Sequence, residues 1–179
     1  MQKFSMFENL KSFAIMIAVF GTIIYLVSKP WYDARAIREN FQGKISSFID
    51  LDLDEYLEGK GFRTGKVLII NYNDKKLDDA HMKLPNDMKA FFPYDVATIV
   101  WVNRKPTSDD IDESRLAGKG NAHVWLLTVI DFKDETIVGE KVLRGSAPLS
   151  MTYGEGDSSD FEPSDYEVVD FVKSLTHRN

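Results

Sequence analysis

One run of fifteen residues, Phe13–Val27, carries no charged side chain, and it constrains the chain more than any other feature. It reads FAIMIAVFGTIIYLV; Ser12 and Ser28 extend it before Lys11 and Lys29 close it. At about 1.5 Å of rise per residue the extended run covers roughly 25 Å, the low edge of a membrane span. A helix in a globular core shows one apolar stripe, whereas this segment is apolar on every side and flanked by bases. Tyr25, Trp31 and Tyr32 suit the aromatic layer at a membrane–water boundary. The expectation is an N-terminal tail over residues 1–11 and a transmembrane anchor over residues 12–29, with the lipid bilayer as the partner of Phe13–Val27.

A cleaved signal peptide is the alternative, and Ala34-Arg35-Ala36 offers the small residues it needs. Pro30, Trp31, Tyr32 and Asp33 separate that site from the apolar run and are poor neighbours for cleavage. The chain has no cysteine, which excludes a lipidated cysteine, a disulfide frame and thiolate chemistry. Lys3 and Lys11 precede the run, while Lys29, Arg35, Arg38 and Lys44 follow it, a count that leans towards a cytoplasmic domain. Against that count, a short tail ahead of a first span stays inside. The reading adopted is an exported domain at a bacterial cell envelope, periplasmic or extracellular.

Beyond the anchor, Ile37, Phe41, Ile45, Phe48, Ile49, Leu53, Tyr56 and Leu57 recur at spacings of three and four. That pattern predicts an amphipathic stem helix over residues 30–60, ended by Gly59-Lys60-Gly61. The stem either lies on the domain's sheet or pairs with a second copy in a homo-oligomer. The remaining residues, 61–179, suffice for one globular domain. The net charge of −6 argues against nucleic acid as a partner, because phosphate neutralisation needs clustered bases.

Four segments read as strands: Lys66–Asn73, Val96–Arg104, Ala122–Asp131 and Thr136–Arg144. The last two form a hairpin about the turn Phe132-Lys133-Asp134-Glu135. Leu84–Pro93 reads as a short helix that Pro93 ends. Ser164-Asp165-Tyr166-Glu167 spells a capping box ahead of the apolar face Val168, Val169, Phe171, Val172 and Leu175. The predicted class is therefore α+β, with a mainly antiparallel four-stranded sheet packed by helices.

The stretch GKGNAHVWLLTVIDFKDETIVGEKVLRGSAP and the later PSDYEVVDFVKSL resemble a family of uncharacterised bacterial domains. LPNDMKAFFPYDVATIVWV is similar to that family as well, so the resemblance covers roughly Lys66–Leu175. It implies domain boundaries and carries no activity.

The chemistry-bearing motifs are sparse. Gly59–Lys66 departs from a phosphate loop in spacing, in Val67 after the lysine, and in leading from helix to strand. Asp50, Asp52 and Asp54 alternate as calcium ligands do, but Glu55 and Gly61 stand where the loop needs Gly and Glu. His81, His123 and His177 have no ligand spacing, and Ser146 with Asp131 and His123 would form a triad only by tertiary assembly. Trp101 and Trp125 fall in apolar strands and read as core.

Two polar loops remain, Pro106–Asn121 and Ser150–Glu162, and their acidic side chains are the candidate interaction residues: Asp109, Asp110, Asp112, Glu113, Glu155, Asp157 and Asp160. No catalytic residue, cofactor or metal is assigned. The functional expectation is a non-enzymatic, membrane-tethered domain that binds a protein or envelope polymer. A hydrolase-like enzyme with a spatially assembled site, or a small accessory subunit of a membrane complex, are the alternatives.

Overall fold

The structure, a computed structural model, describes residues 3–53, 61–106, 123–145 and 162–178. The chain divides into two compact units, residues 1–39 and residues 40–179.

The first unit is helical. Helix α1 runs Lys3–Phe41 without a break, and Pro30 lies inside it. Its residues 15–41 include a stretch long and apolar enough to cross a membrane. Phe13 and residues 15–27 are all exposed. Two hydroxyls of the run bond within the helix: Thr22 Oγ1 donates to the Ala18 carbonyl (2.8 Å) and Ser28 Oγ to that of Tyr25 (3.3 Å).

The expected stem helix over 30–60 is not a separate element. Helix α1 continues through Pro30 and stops at Phe41, where Gly43 takes a φ of +73° that suits glycine. A single 3-10 turn, Ile45–Phe48, follows. The apolar spacing of three and four arises from these two pieces, and residues 54–60, with Gly59 and Lys60 of the expected terminator, lie outside the described residues.

The second unit is α+β. Its central sheet has five strands in the order β3-β2-β4-β5-β6, namely Lys76–Leu77, Lys66–Asn71, Val96–Asn103, Val124–Asp131 and Thr136–Arg144. The expectation of four mainly antiparallel strands is corrected here, because β2 and β4 pair in parallel. Both occupy the middle of the sheet with both faces covered, which is why they read as unbroken apolar runs. A separate parallel pair joins β1 (Phe62–Thr64) to β7 (Thr176–Arg178). Strands of two or three residues carry no periodicity, so β1, β3 and β7 are invisible in sequence.

One sheet face presents Val67, Ile69, Val100, Val102, Trp125, Leu127 and Val129 to Val168, Val169 and Val172 of helix α3 (Asp165–Ser174). The capping box forms as expected: Ser164 N–H donates to Glu167 Oε2 (2.7 Å) and Glu167 N–H to Ser164 Oγ (3.3 Å). On the other face lie Leu68, Ile70, Ile99, Trp101 and Ile130, the register partners across β2, β4 and β5. The Phe41–Ile49 segment reaches this face, with Trp101 Nε1 donating to the Phe48 carbonyl (2.9 Å) and the Phe48 ring 5.0 Å from that of Phe132.

The helix expected at Leu84–Pro93 forms upstream instead, as α2 (Asp79–Lys83), because Asp78 caps it by accepting from Ala80 N–H (2.9 Å). Pro93 starts a 3-10 turn, Pro93–Asp95, and does not end a helix. Helix α2 buries His81 against the outer edge of β2. Ile69 N–H donates to Nδ1 (3.3 Å), so the proton sits on Nε2, which donates to the Ala90 carbonyl (3.0 Å). Burial pushes the imidazole down to about 4, with the bond to Ala90 opposing and Lys89 adding to the shift.

The unfolded chain takes up the His81 proton near pH 6.5 while the native state excludes it down to about pH 4. Stability from this group is therefore full above pH 6.5 and falls as pH drops towards 4, by about 3 kcal/mol in total. Urea unfolding in detergent at pH 7.5, 6 and 5 checks this, and His81→Gln should flatten the slope.

Candidate functional site

The carboxyl ends of β2 and β4, Asn71 and Asn103, lie at one end of the sheet. Strand β5 runs antiparallel to β4 and β6 antiparallel to β5, so the start of β5 and the end of β6 meet there too. Ligands in sheets with parallel strands commonly bind at this end. Residues 107–122 leave after β4 and return at His123; residues 146–161 leave after β6 and return at Glu162 ahead of α3. The seven candidate acids, Asp109, Asp110, Asp112, Glu113, Glu155, Asp157 and Asp160, lie within those segments and outside the described residues.

The four roots of the two segments are tied together. Gly145 N–H donates to the His123 carbonyl (3.0 Å), and Val124 pairs with Arg144. His123 Nδ1 lies 4.0 Å from Glu162 Oε1. Arg104, just past β4, donates through Nη2 to Asp165 Oδ1 (2.8 Å), the first residue of α3. The described residues that flank the two segments are therefore linked at one end of the sheet.

Arg104 does more than join these roots. Its Nη2 donates to Asp78 Oδ1 and Oδ2 (both 2.9 Å) and its Nε to Asp78 Oδ2 (3.2 Å), while the guanidinium stacks 4.0 Å above the Trp125 ring. The Asp78 side chain is fully buried. Lys83 Nζ completes the cluster on Asp165 Oδ2 (2.8 Å). Partial burial pushes the Asp165 carboxyl up, but hydrogen bonds from Lys83 and Arg104 outweigh it and hold it below the ordinary carboxylate range. Two carboxylates meet two cations, so the cluster is balanced and acts as a clamp.

Beside the clamp, side-chain amides fix the first residues after β4. Asn73 Nδ2 donates to Asn103 Oδ1 (2.9 Å), Arg104 N–H donates to Asn73 Oδ1 (2.7 Å), and Lys105 N–H donates to Asn103 Oδ1 (3.1 Å). At the N-terminus of α3 the capping box satisfies the Ser164 and Glu167 N–H groups.

The other singled-out residues are dispersed. Asp131 sits at the far end of β5 from His123, accepting from Lys133 N–H (3.1 Å) and Thr64 Oγ1 (3.3 Å). Eight strand residues separate the two by roughly 25 Å, so the triad with Ser146 does not assemble from these groups. Ser146 itself lies outside the described residues. His81 is a core group and His177 pairs with Arg63 in the β1–β7 ribbon. Among the described residues no group of three or more His, Asp or Glu could hold a metal. Trp125 is core, whereas Trp101 is only partly buried and packs against Tyr72, 5.2 Å between centroids. Asp78 and Arg104 were not singled out in sequence; the one available signal was Asp78 as a capping residue before Ala80.

The chain matches no protein family, and neither the curated proteins nor the solved structures contain a significant match.

Removing one partner of a buried pair leaves the other charge uncompensated. Arg104→Met should therefore cost about 3 kcal/mol in chemical denaturation, by stranding Asp78. Lys83→Met, on a pair that is partly exposed, should cost within about 1 kcal/mol.

Proposed function

We propose that the protein is a single-pass, membrane-anchored interaction domain without enzymatic activity, exported at a bacterial cell envelope. Helix α1 supports the anchor: Phe13 and residues 15–27 are exposed, and the Thr22 and Ser28 hydroxyls bond to carbonyls of the helix itself. An apolar surface of that extent is covered in any stable setting, and a bilayer fits its length and its flanking Trp31 and Tyr32.

The convergence of the four roots carries the binding half of the reading. Residues 107–122 hold four acidic and two basic side chains, net −2, and residues 146–161 hold three acidic and no basic ones, net −3. Together they carry −5 of the chain's net −6. The acidic side chains of the two segments, whose described flanks are linked, are assigned to binding a cationic patch on a protein or envelope polymer.

Crosslinking in intact membranes followed by recovery of the tagged full chain tests this. Replacing the seven acids by Asn and Gln should abolish a crosslinked partner, and raised salt should weaken its recovery. Equal recovery from both proteins contradicts the assigned surface. Alkaline carbonate should leave the chain in the membrane pellet, and labelling of a single cysteine at Lys173 in intact cells should report the exported side.

A further inference from the structure

The opposite end of the sheet carries a second surface. Phe92 and Tyr94 project there from the 3-10 turn ahead of β4, 41% and 80% exposed. Their rings stack face to face, 5.1 Å between centroids and 6° between planes. Tyr72 and Tyr166 are the other exposed large aromatics among the described residues of this unit, but only Phe92 and Tyr94 stack with their rings parallel.

The place of this ledge on the chain indicates what covers it. Asn40, the first residue of the second unit, donates through Nδ2 to the carbonyl of Phe91 (3.0 Å), next to Phe92. Only seven residues, 33–39, separate Asn40 from the aromatic pair Trp31–Tyr32, and as helix they rise about 10 Å. The headgroup layer on each side of a bilayer is about 5–8 Å thick, so the connection from Tyr32 is short on the scale of that layer. The ring face of phenylalanine and the hydroxyl-tipped ring of tyrosine suit a layer that is apolar on one side and wet on the other. Charge does not drive the contact: Lys66 Nζ is engaged by the carbonyls of Asn86 and Asp87, and Asp87 and Asp95 are acidic.

We infer that the Phe92–Tyr94 ledge docks into the headgroup layer of the bilayer and holds this end of the domain against the membrane. The inference rests on the anchor reading, and the test separates the two. The cysteine-free full chain is reconstituted in phosphatidylcholine vesicles with a single environment-sensitive fluorophore, attached through Phe20→Cys, Asp95→Cys or Asn73→Cys. Nitroxide lipids quench from the bilayer centre or from the headgroups.

The probe at position 20 should be quenched from the centre. The probe at position 95 should shift to the blue and be quenched from the headgroups, while that at position 73 should remain water-like. Adding Phe92→Ser and Tyr94→Ser should return position 95 to the water-like signal. A quenched position 20 with a water-like position 95 overturns the ledge and leaves the anchor standing. Quenching at position 95 that survives loss of both rings also overturns it. An unquenched position 20 removes the anchor, and the ledge with it.

Discussion

The buried carboxylate of Asp78 is the group on which the rest of this domain's far end depends. An isolated carboxylate in a protein interior is prohibitive, so Asp78 must be met by a cation and by hydrogen bonds. It receives both, from Arg104 and from the Ala80 amide of the helix it caps. Satisfying Asp78 places Arg104 over Trp125, and the same guanidinium then reaches Asp165 at the start of α3. One side chain thereby joins the chain after β4 to α2, β5 and α3. That is why described residues flanking the two acidic segments, Arg104 and Asp165, are linked although far apart in sequence.

A second consequence is a polarity along the sheet. The parallel pairing of β2 and β4 forces their carboxyl ends together at one end and their amino ends together at the other. The acidic segments leave from the first end, while Asn40 and the Phe92–Tyr94 ledge lie at the second. The end opposite Arg104 and Asp165 thus carries an exposed, stacked aromatic pair.

The parts of the fold that repeat a pattern over many residues were legible in the sequence. The apolar run, the four long strands, the hairpin about Phe132–Glu135 and the Ser164–Glu167 capping box all appear close to where they were expected. Parallel pairing was hidden because an apolar strand announces that it is covered on both faces, not which neighbour it takes. The stem departs from a single helix because Phe41 and Ile45 keep helical spacing across a break at Gly43, which only its positive φ reveals. Of the candidate site, sequence offered the acidic residues and not their frame. Asp78, Arg104 and Asp165 are 26 and 61 positions apart, and no local rule relates them.

The link between the described flanks of the two segments is the central claim, and pairs of spin labels on the cysteine-free full chain measure it directly. Labels at Lys105 and Glu162 flank the roots of the two segments, while labels at Lys105 and Lys133 span the sheet from end to end. The account predicts a short, narrow distance distribution for the first pair and a distance longer by about the length of β5, roughly 25 Å, for the second. A Lys105–Glu162 distance as long as the Lys105–Lys133 distance would contradict it.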